Sequence, residues 1–300
     1  MEVGLIDIEP KIYNTAYMQI ARYHKDKGDT VEWWLPITHG LFDRVYCSSI
    51  FDFTDKSILP LVVTTGGTGF DIKRRLPPEI EACDYDYSIY PKCRASYLWF
   101  SRGCIRDCPW CVVPEKEGNI HTVAVPTNLN PNGEYIVVQD NNLFANKKWR
   151  YAIKYLLEEP MQPVDFQGVD VRILTKDMCH ALRKLKHHKQ IKIAWDNPRE
   201  DIREHLKRVL RFIPYYQLMC YVLIGYDSSE AEDIYRVNTL QAMGISPFVM
   251  PYNRSDLYQR SFARWVNHKA IFKKVKWEDY RGRVQKQEAA GCGWRRIGNK

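Results

Sequence analysis

Residues 101–111 read SRGCIRDCPWC, which sets Cys104, Cys108 and Cys111 on one short stretch with three residues and then two between them. Thiolates at this density are ligands for soft or borderline metals. A structural zinc ion closes its shell with four protein ligands, usually two cysteine pairs or cysteines with histidines. A [4Fe–4S] cubane also takes four cysteines, one for each iron. This motif supplies three, and the next histidine, His121, has no partner at zinc-finger spacing. Two readings follow. Either one iron of a cluster is left open to a small molecule, or the motif belongs to a zinc-dependent nucleic-acid-binding module whose fourth ligand is Cys93 or His121.

The elements that position this loop are legible from periodicity. In residues 1–94, VGLIDI (3–8) reads as a buried strand and NTAYMQIARYHKDKG (14–28) as an amphipathic helix stopped by Gly28. TVEWWL (30–35), DRVYCSSI (43–50) and LPLVVTTGG (59–67) supply further strands, which predicts a small Rossmann-like open parallel sheet. Residues 74–92, with their prolines and mixed polarity, read as a linker. From residue 95 to 258 strands and helices alternate at longer spacing, with strands expected at 96–101, 135–140, 164–169, 191–196, 218–225 and 246–252. Repeated strand-then-helix order implies parallel strands and an α/β fold, here a partial (β/α)6 TIM-type barrel. Chemistry in such folds sits at the C-terminal ends of the strands, where SRGC, QDNN, QG, WDN and IGYDSSE all fall.

The net charge of +8 is unevenly placed. From Arg260 to Lys300 there are twelve Lys and Arg against Glu278, Asp279 and Glu288, a net of +9, which leaves −1 for residues 1–259. Phe262, Trp265, Phe272, Trp277, Tyr280 and Trp294 interleave with these cations. A basic, aromatic tail (259–300) suits phosphates and stacked bases, and equally suits a terminal helix docked by its aromatics with lysines facing water. The N-terminus, MEVGLIDIEP, carries no basic segment before an apolar run, and no apolar run approaches bilayer length. A cytoplasmic protein without membrane contact is the expectation, a setting in which clustered cysteines point to metal or catalysis more than to disulfides.

CIRDCPWC resembles the cluster motif of the radical S-adenosylmethionine (radical SAM) enzymes, including the aromatic Trp110 before the third cysteine, and the resemblance extends over residues 95–252. It implies a [4Fe–4S] cluster on Cys104, Cys108 and Cys111, with the amino and carboxylate groups of SAM on the fourth iron. It also implies a one-electron donor of the flavodoxin or ferredoxin type, and a 5′-deoxyadenosyl radical that abstracts hydrogen. By the same likeness Gln139, Asp140 and Asn141 are candidates to receive the SAM amino group, although the family's Gly-Gly-Glu is absent there. Arg172 would meet the SAM carboxylate, Asp196 the ribose, and Leu223 and Ile224 the adenine. Without the resemblance, Asp196 reads as a helix cap and Arg172 as a surface cation. A nucleic acid or nucleotide is the first substrate reading, and a peptide or small metabolite the alternative.

Residues 1–94 resemble, in element order, the cobalamin-binding domain of class B radical SAM enzymes. The DxHxxG motif that would supply a cobalt-ligating histidine is absent, and of the two histidines present His24 is expected on the solvent face of its helix while His39 sits in THG. A vestigial sheet or a substrate platform is therefore favoured over a cobalamin site without a histidine ligand. Methylthiotransferases, a related group, hold a second cluster on three N-terminal cysteines. Cys47, Cys83 and Cys93 invite that comparison, but Cys47 reads as a core residue, as do Cys179 and Cys220. Cys292 belongs to the tail.

Overall fold

The computed structural model describes residues 1–158 and 162–282, with the exception of the His39 side chain. β1 (Glu2–Ile6) is followed by α1 (Thr15–Lys25), β2 (Thr30–Trp33), β3 (Arg44–Ser48) and β4 (Thr64–Gly66). These strands make one parallel sheet in the order β2-β1-β3-β4, with Leu5 opposite both Trp33 and Tyr46. α1 begins where the Asn14 side chain accepts from the Ala16 amide at 3.0 Å, and its Tyr17, Met18, Ile20 and Ala21 are buried. The chain then turns at Gly28, whose φ of 81° is costly for any residue with a Cβ.

Two expectations are corrected here. Residues 74–92 are not a bare linker: they contain α2 (Pro78–Glu81), and Ile80, Tyr85, Tyr87 and Tyr90 share a core with Val3, Leu5, Tyr17 and Met18. Tyrosines can be buried there because their hydroxyls find partners. The Tyr97 amide donates to Tyr87 Oη at 2.9 Å, and the Asn14 amide to Tyr90 Oη at 3.3 Å. His24 is not on a solvent face either, being 1% exposed. Its Nδ1 lies 2.6 Å from Asp29 Oδ2 and its Nε2 3.0 Å from Tyr46 Oη, so both ring nitrogens have partners that make burial tolerable.

β5 (Ala95–Leu98) then leads to β6 (Ser101–Arg102), α3 (Val113–Lys116) and β7 (His121–Thr122). β8 (Tyr135–Val138), α4 (Trp149–Glu158), β9 (Val164–Phe166) and α5 (Lys176–Lys184) come next. After them run β10 (Ile191–Ala194), α6 (Arg203–Leu210), β11 (Leu218–Ile224), α7 (Glu230–Ala242) and β12 (Ser246–Pro251). α8 (Leu257–Asn267) and α9 (Lys269–Lys274) follow. The six strands expected around one barrel are hydrogen-bonded as two three-stranded parallel sheets, β5-β8-β9 and β10-β11-β12, while β6 and β7 form a small antiparallel ribbon.

The chain divides into two compact units. One comprises Met1–Gly168 with Lys184–His188, and the other Val169–Arg183 with the described residues from Lys189 onward. The N-terminal sheet and β5-β8-β9 thus share a unit. In the second unit, Phe262, Trp265, Phe272, Trp277 and Tyr280 are all buried. Trp265 Nε1 donates to the Val275 carbonyl and Trp277 Nε1 to Glu230 Oε1, each at 2.8 Å. These rings are therefore not offered to bases. Of the two readings of the segment, the docked helix describes them, because burying large aromatic surface and satisfying the indole N–H in one place outweighs leaving it in water. Trp294 and Cys292 lie outside the described residues.

Candidate functional site

The cysteine loop hangs from the β6–β7 ribbon. Ser101 pairs with Thr122 and Arg102 with His121, so the chain leaves and re-enters at one place, with Cys104 bridged to Asn119. Gly103 makes this closure fit: its φ is 81°, and a Cβ there would meet the Asn119 carbonyl oxygen at 2.5 Å. Donors face the sulfurs of Cys104 and Cys111. The Arg106 amide lies 3.4 Å from Cys104 Sγ, Asn142 Nδ2 3.7 Å from the same sulfur, and the Val113 amide 3.5 Å from Cys111 Sγ. N–H groups directed at sulfur stabilise thiolate and tune a cluster bound to it, so the donor set fits an iron–sulfur cluster.

The described cysteines form no disulfide. Among the described residues no three His, Cys, Asp or Glu groups converge as ligands of a single metal ion. The two fourth-ligand candidates for zinc are engaged elsewhere: His121 is exposed with Nδ1 2.9 Å from the Asn119 carbonyl, and Cys93 is buried with its thiol toward the Ala95 carbonyl.

At the end of β8 the pleat sorts the three neighbouring candidates, because successive side chains point to opposite faces. Gln139 and Asn141 line a cavity of about 1270 Å³, together with Val137, Tyr97, Trp99 and Gln167. Asn141 Oδ1 accepts from the Gly103 amide at 3.1 Å, which ties the strand end to the cysteine loop. Gln139 Oε1 and Asn142 Oδ1 are buried with no hydrogen-bond partner, leaving two acceptors beside the loop for an incoming donor. Gly168 lets the chain pass close to this strand end: a Cβ there would meet the Asn141 carbonyl oxygen at 2.2 Å.

Asp140 points the other way, 1% exposed, and accepts from the Phe100 amide at 2.9 Å and from the Ser101 hydroxyl. It braces β8 against the segment that leads into the cysteines. Burial pushes its carboxyl up to about 6, against the pull of these hydrogen bonds. A raised folded-state value means that between the ordinary 3.8 and about 6 the folded chain keeps a proton the unfolded chain has lost. Stability from this group therefore falls as pH rises through that window. Asp140→Asn is expected to abolish this slope; urea midpoints of both proteins across the window check it, and parallel curves would refute it.

The cavity opens at the C-terminal ends of β3 and β4, where Tyr46, Ser48, Thr65 and Gly66 line it. Glu9 organises this edge by accepting from the amides of Ile50 and Phe51 and the hydroxyls of Ser49 and Thr54. Burial opposes its ionisation, but the hydrogen bonds win and hold it below the ordinary carboxylate value.

In the second unit, Arg172 is no simple surface cation. It pairs with Asp170 and Glu200, each at 2.6 Å, and its side chain is 16% exposed. Burial pushes Asp196 up to about 6 against the attraction of Arg172 and Arg236. Ile224 is a core residue, whereas Leu223 alternates to the other face of β11. On that face Leu223 is opposite Met250, and Tyr221 opposite Phe248, with Met250 43% and Phe248 40% exposed.

Sequence reasoning missed Arg236. This arginine is fully buried on α7 and ion-paired to Asp233 at 2.6 Å. It donates to the carbonyls of Trp195 at 2.8 Å and Leu223 at 2.9 Å, joining the ends of β10 and β11 where Asp196 and Leu223 sit. The only available signal was an i,i+3 Asp–Arg pair, which is common on exposed helices.

No family model matches the sequence, and no curated protein matches it. Among solved structures, the chain is similar to the radical S-adenosylmethionine methyltransferase TsrM from Kitasatospora setae, determined with cobalamin and a [4Fe–4S] cluster bound. The TM-score is 0.59 at 12% identity, over 83% of this chain and 74% of that one. The likeness is one of fold. The mixed α/β arrangement, with its several parallel sheets, is shared with a radical SAM protein.

Proposed function

We propose that this chain is a radical SAM enzyme in which Cys104, Cys108 and Cys111 hold a [4Fe–4S] cluster and SAM completes the open iron. When bound, the pair supplies a 5′-deoxyadenosyl radical for hydrogen abstraction, with the electron coming from a flavodoxin- or ferredoxin-type donor. The observation that carries this reading is the three-cysteine loop itself, tied to the ends of β5 and β8 with backbone and Asn142 donors directed at its sulfurs.

The remaining roles belong to the protein's own side chains. Gln139 Oε1, a buried acceptor lacking a partner, suits the SAM ammonium, while Asp140 and Asn141 hold the strand end and the loop in register. Asp196 and Leu223 are assigned to the ribose and adenine, and Arg172 to the carboxylate. The radical SAM reading carries with it the partial (β/α)6 barrel expected from the alternation of strands and helices. Trp110, half-buried beside the third cysteine, shields the loop.

A corrinoid is the second reading, favoured by the cavity over the ends of β3 and β4 and by the cobalamin that TsrM holds. Such a ligand would receive no histidine from His24, whose ring nitrogens face Asp29 and Tyr46. For the substrate we favour a nucleotide or nucleic acid over a peptide or other small metabolite. Support comes from cations in the cavity wall rather than from the aromatic rings of the C-terminal segment.

Anaerobic protein reconstituted with iron and sulfide is expected to be brown and to release 5′-deoxyadenosine from SAM on reduction. Colourless protein carrying one zinc per chain would overturn the proposal.

A further inference from the structure

Two arginines from separate segments meet one carboxylate in the cavity wall, and a lysine stands next to it in the chain. Glu117, with its side chain 6% exposed, lies 3.5 Å from Arg75 Nη1 and 3.4 Å from Arg102 Nη1. The preceding residue, Lys116, is half-buried and donates to Thr68 Oγ1 at 2.6 Å, while Arg75 also donates to the Lys116 carbonyl. Arg102 Cζ lies over the Trp99 ring, 4.5 Å from its centroid, a cation–π contact that holds the guanidinium beside the ring.

One carboxylate neutralises one of these three charges. Both guanidinium separations exceed the roughly 2.7–2.9 Å of a charge-assisted hydrogen bond, so Glu117 saturates neither fork. Glu79 and Glu81 also line the cavity, and among the described residues neither forms an ion pair with these cations. Burial pulls the Lys116 ammonium below its ordinary value, with Glu117 opposing and Arg75 and Arg102 adding to the fall. Arg102, its side chain 22% exposed, and Lys116, half-buried, are partly desolvated, and such charges are costly unless an anion joins them.

We propose that Arg75, Arg102 and Lys116 form a binding site for the phosphomonoester dianion of a ligand held in the cavity. Two planar forks and a point-charge ammonium approaching from different segments suit a tetrahedral group with three free oxygens. Tyr97 and Trp99 line the same cavity and give the body of the ligand an aromatic wall. Because Lys116 follows Cys111 by five residues, the anion is held by the very segment that carries the cysteines. That this ligand is the substrate rests on the radical SAM reading; the anion site does not.

The test uses the full chain and, at matched ionic strength, inorganic phosphate, adenosine 5′-monophosphate and adenosine as probes in titration calorimetry. The monophosphate is expected to bind at least about ten-fold more tightly than adenosine, since its phosphate accepts charge-assisted hydrogen bonds that the nucleoside lacks. Lys116→Gln, Arg75→Gln and Arg102→Gln are each expected to remove that advantage, with denaturation midpoints confirming that they fold. Equal binding of nucleoside and monophosphate, no phosphate binding, or affinities unchanged in all three variants would overturn the site. So would hydroxocobalamin binding that depends on the three cations while the monophosphate is excluded. A Cys104→Ser, Cys108→Ser, Cys111→Ser triple variant should keep monophosphate binding while losing SAM cleavage, so failure of the radical chemistry and failure of the anion site read out separately.

Discussion

Cys104→Ser, Cys108→Ser or Cys111→Ser is expected to abolish both iron–sulfur absorbance and SAM cleavage, because in the proposed cluster each thiolate would bind its own iron and no other described cysteine is placed on the loop. Cys83→Ser serves as the comparison. Cys83 is half-exposed on the N-terminal core and its thiol donates to the Glu79 carbonyl at 3.2 Å, so iron content should be unchanged. Loss of iron in that variant would revive a second cluster. Asn142→Ala is graded: it removes one donor from Cys104 Sγ and leaves the ligands intact, and retention of the cluster should fall by about 10–100-fold, as for outer-shell partners generally. Iron and sulfide analysis with visible spectroscopy decides each case. Full cluster occupancy in any single cysteine variant would remove the basis of the functional reading.

Arg236→Met is expected to destabilise the second unit by about 3–5 kcal/mol, the usual result of leaving one half of a buried pair uncompensated. Asp233 would be left fully buried with only hydroxyl partners, Tyr258 and Ser228, and no cation, and the carbonyls of Trp195 and Leu223 would lose their donor. The double variant Asp233→Asn, Arg236→Met should cost less than Arg236→Met alone, since it removes the stranded charge as well. Denaturant unfolding followed by Trp fluorescence reports the difference. A cost below about 1 kcal/mol, or a double variant that is simply additive, would show that the pair does not hold the ends of β10 and β11 together.

Much of the local structure could be read without coordinates. Strands and helices were legible because each carries its own hydrophobic period, and the strands of both three-stranded sheets fall where that period placed them. The cysteine loop was legible because its ligands lie within eight residues of one another. Neighbouring candidates were harder. Gln139, Asp140 and Asn141 could not be separated, because pleat parity depends on which face of the strand end the rest of the chain covers. Residues 74–92 read as linker because prolines announce turns, and only the assembled core shows that Tyr85, Tyr87 and Tyr90 fill space against α1 and β1. His24 read as exposed because a histidine on a helix usually is; Asp29 and Tyr46, which let it go inside, come from the following turn and from β3.

By itself the sequence determined the α/β class, the order of the elements and the three-cysteine loop, all of which follow from local propensity, periodicity and short ligand spacing. Only the tertiary structure decided what faces the cavity, what braces the strand ends, and where charge is left over. Arg75, Arg102 and Lys116 with Glu117, like Arg236 with the carbonyls of β10 and β11, are long-range meetings of polar groups. Their energies depend on the water excluded around them, a property of the folded chain that no single segment carries.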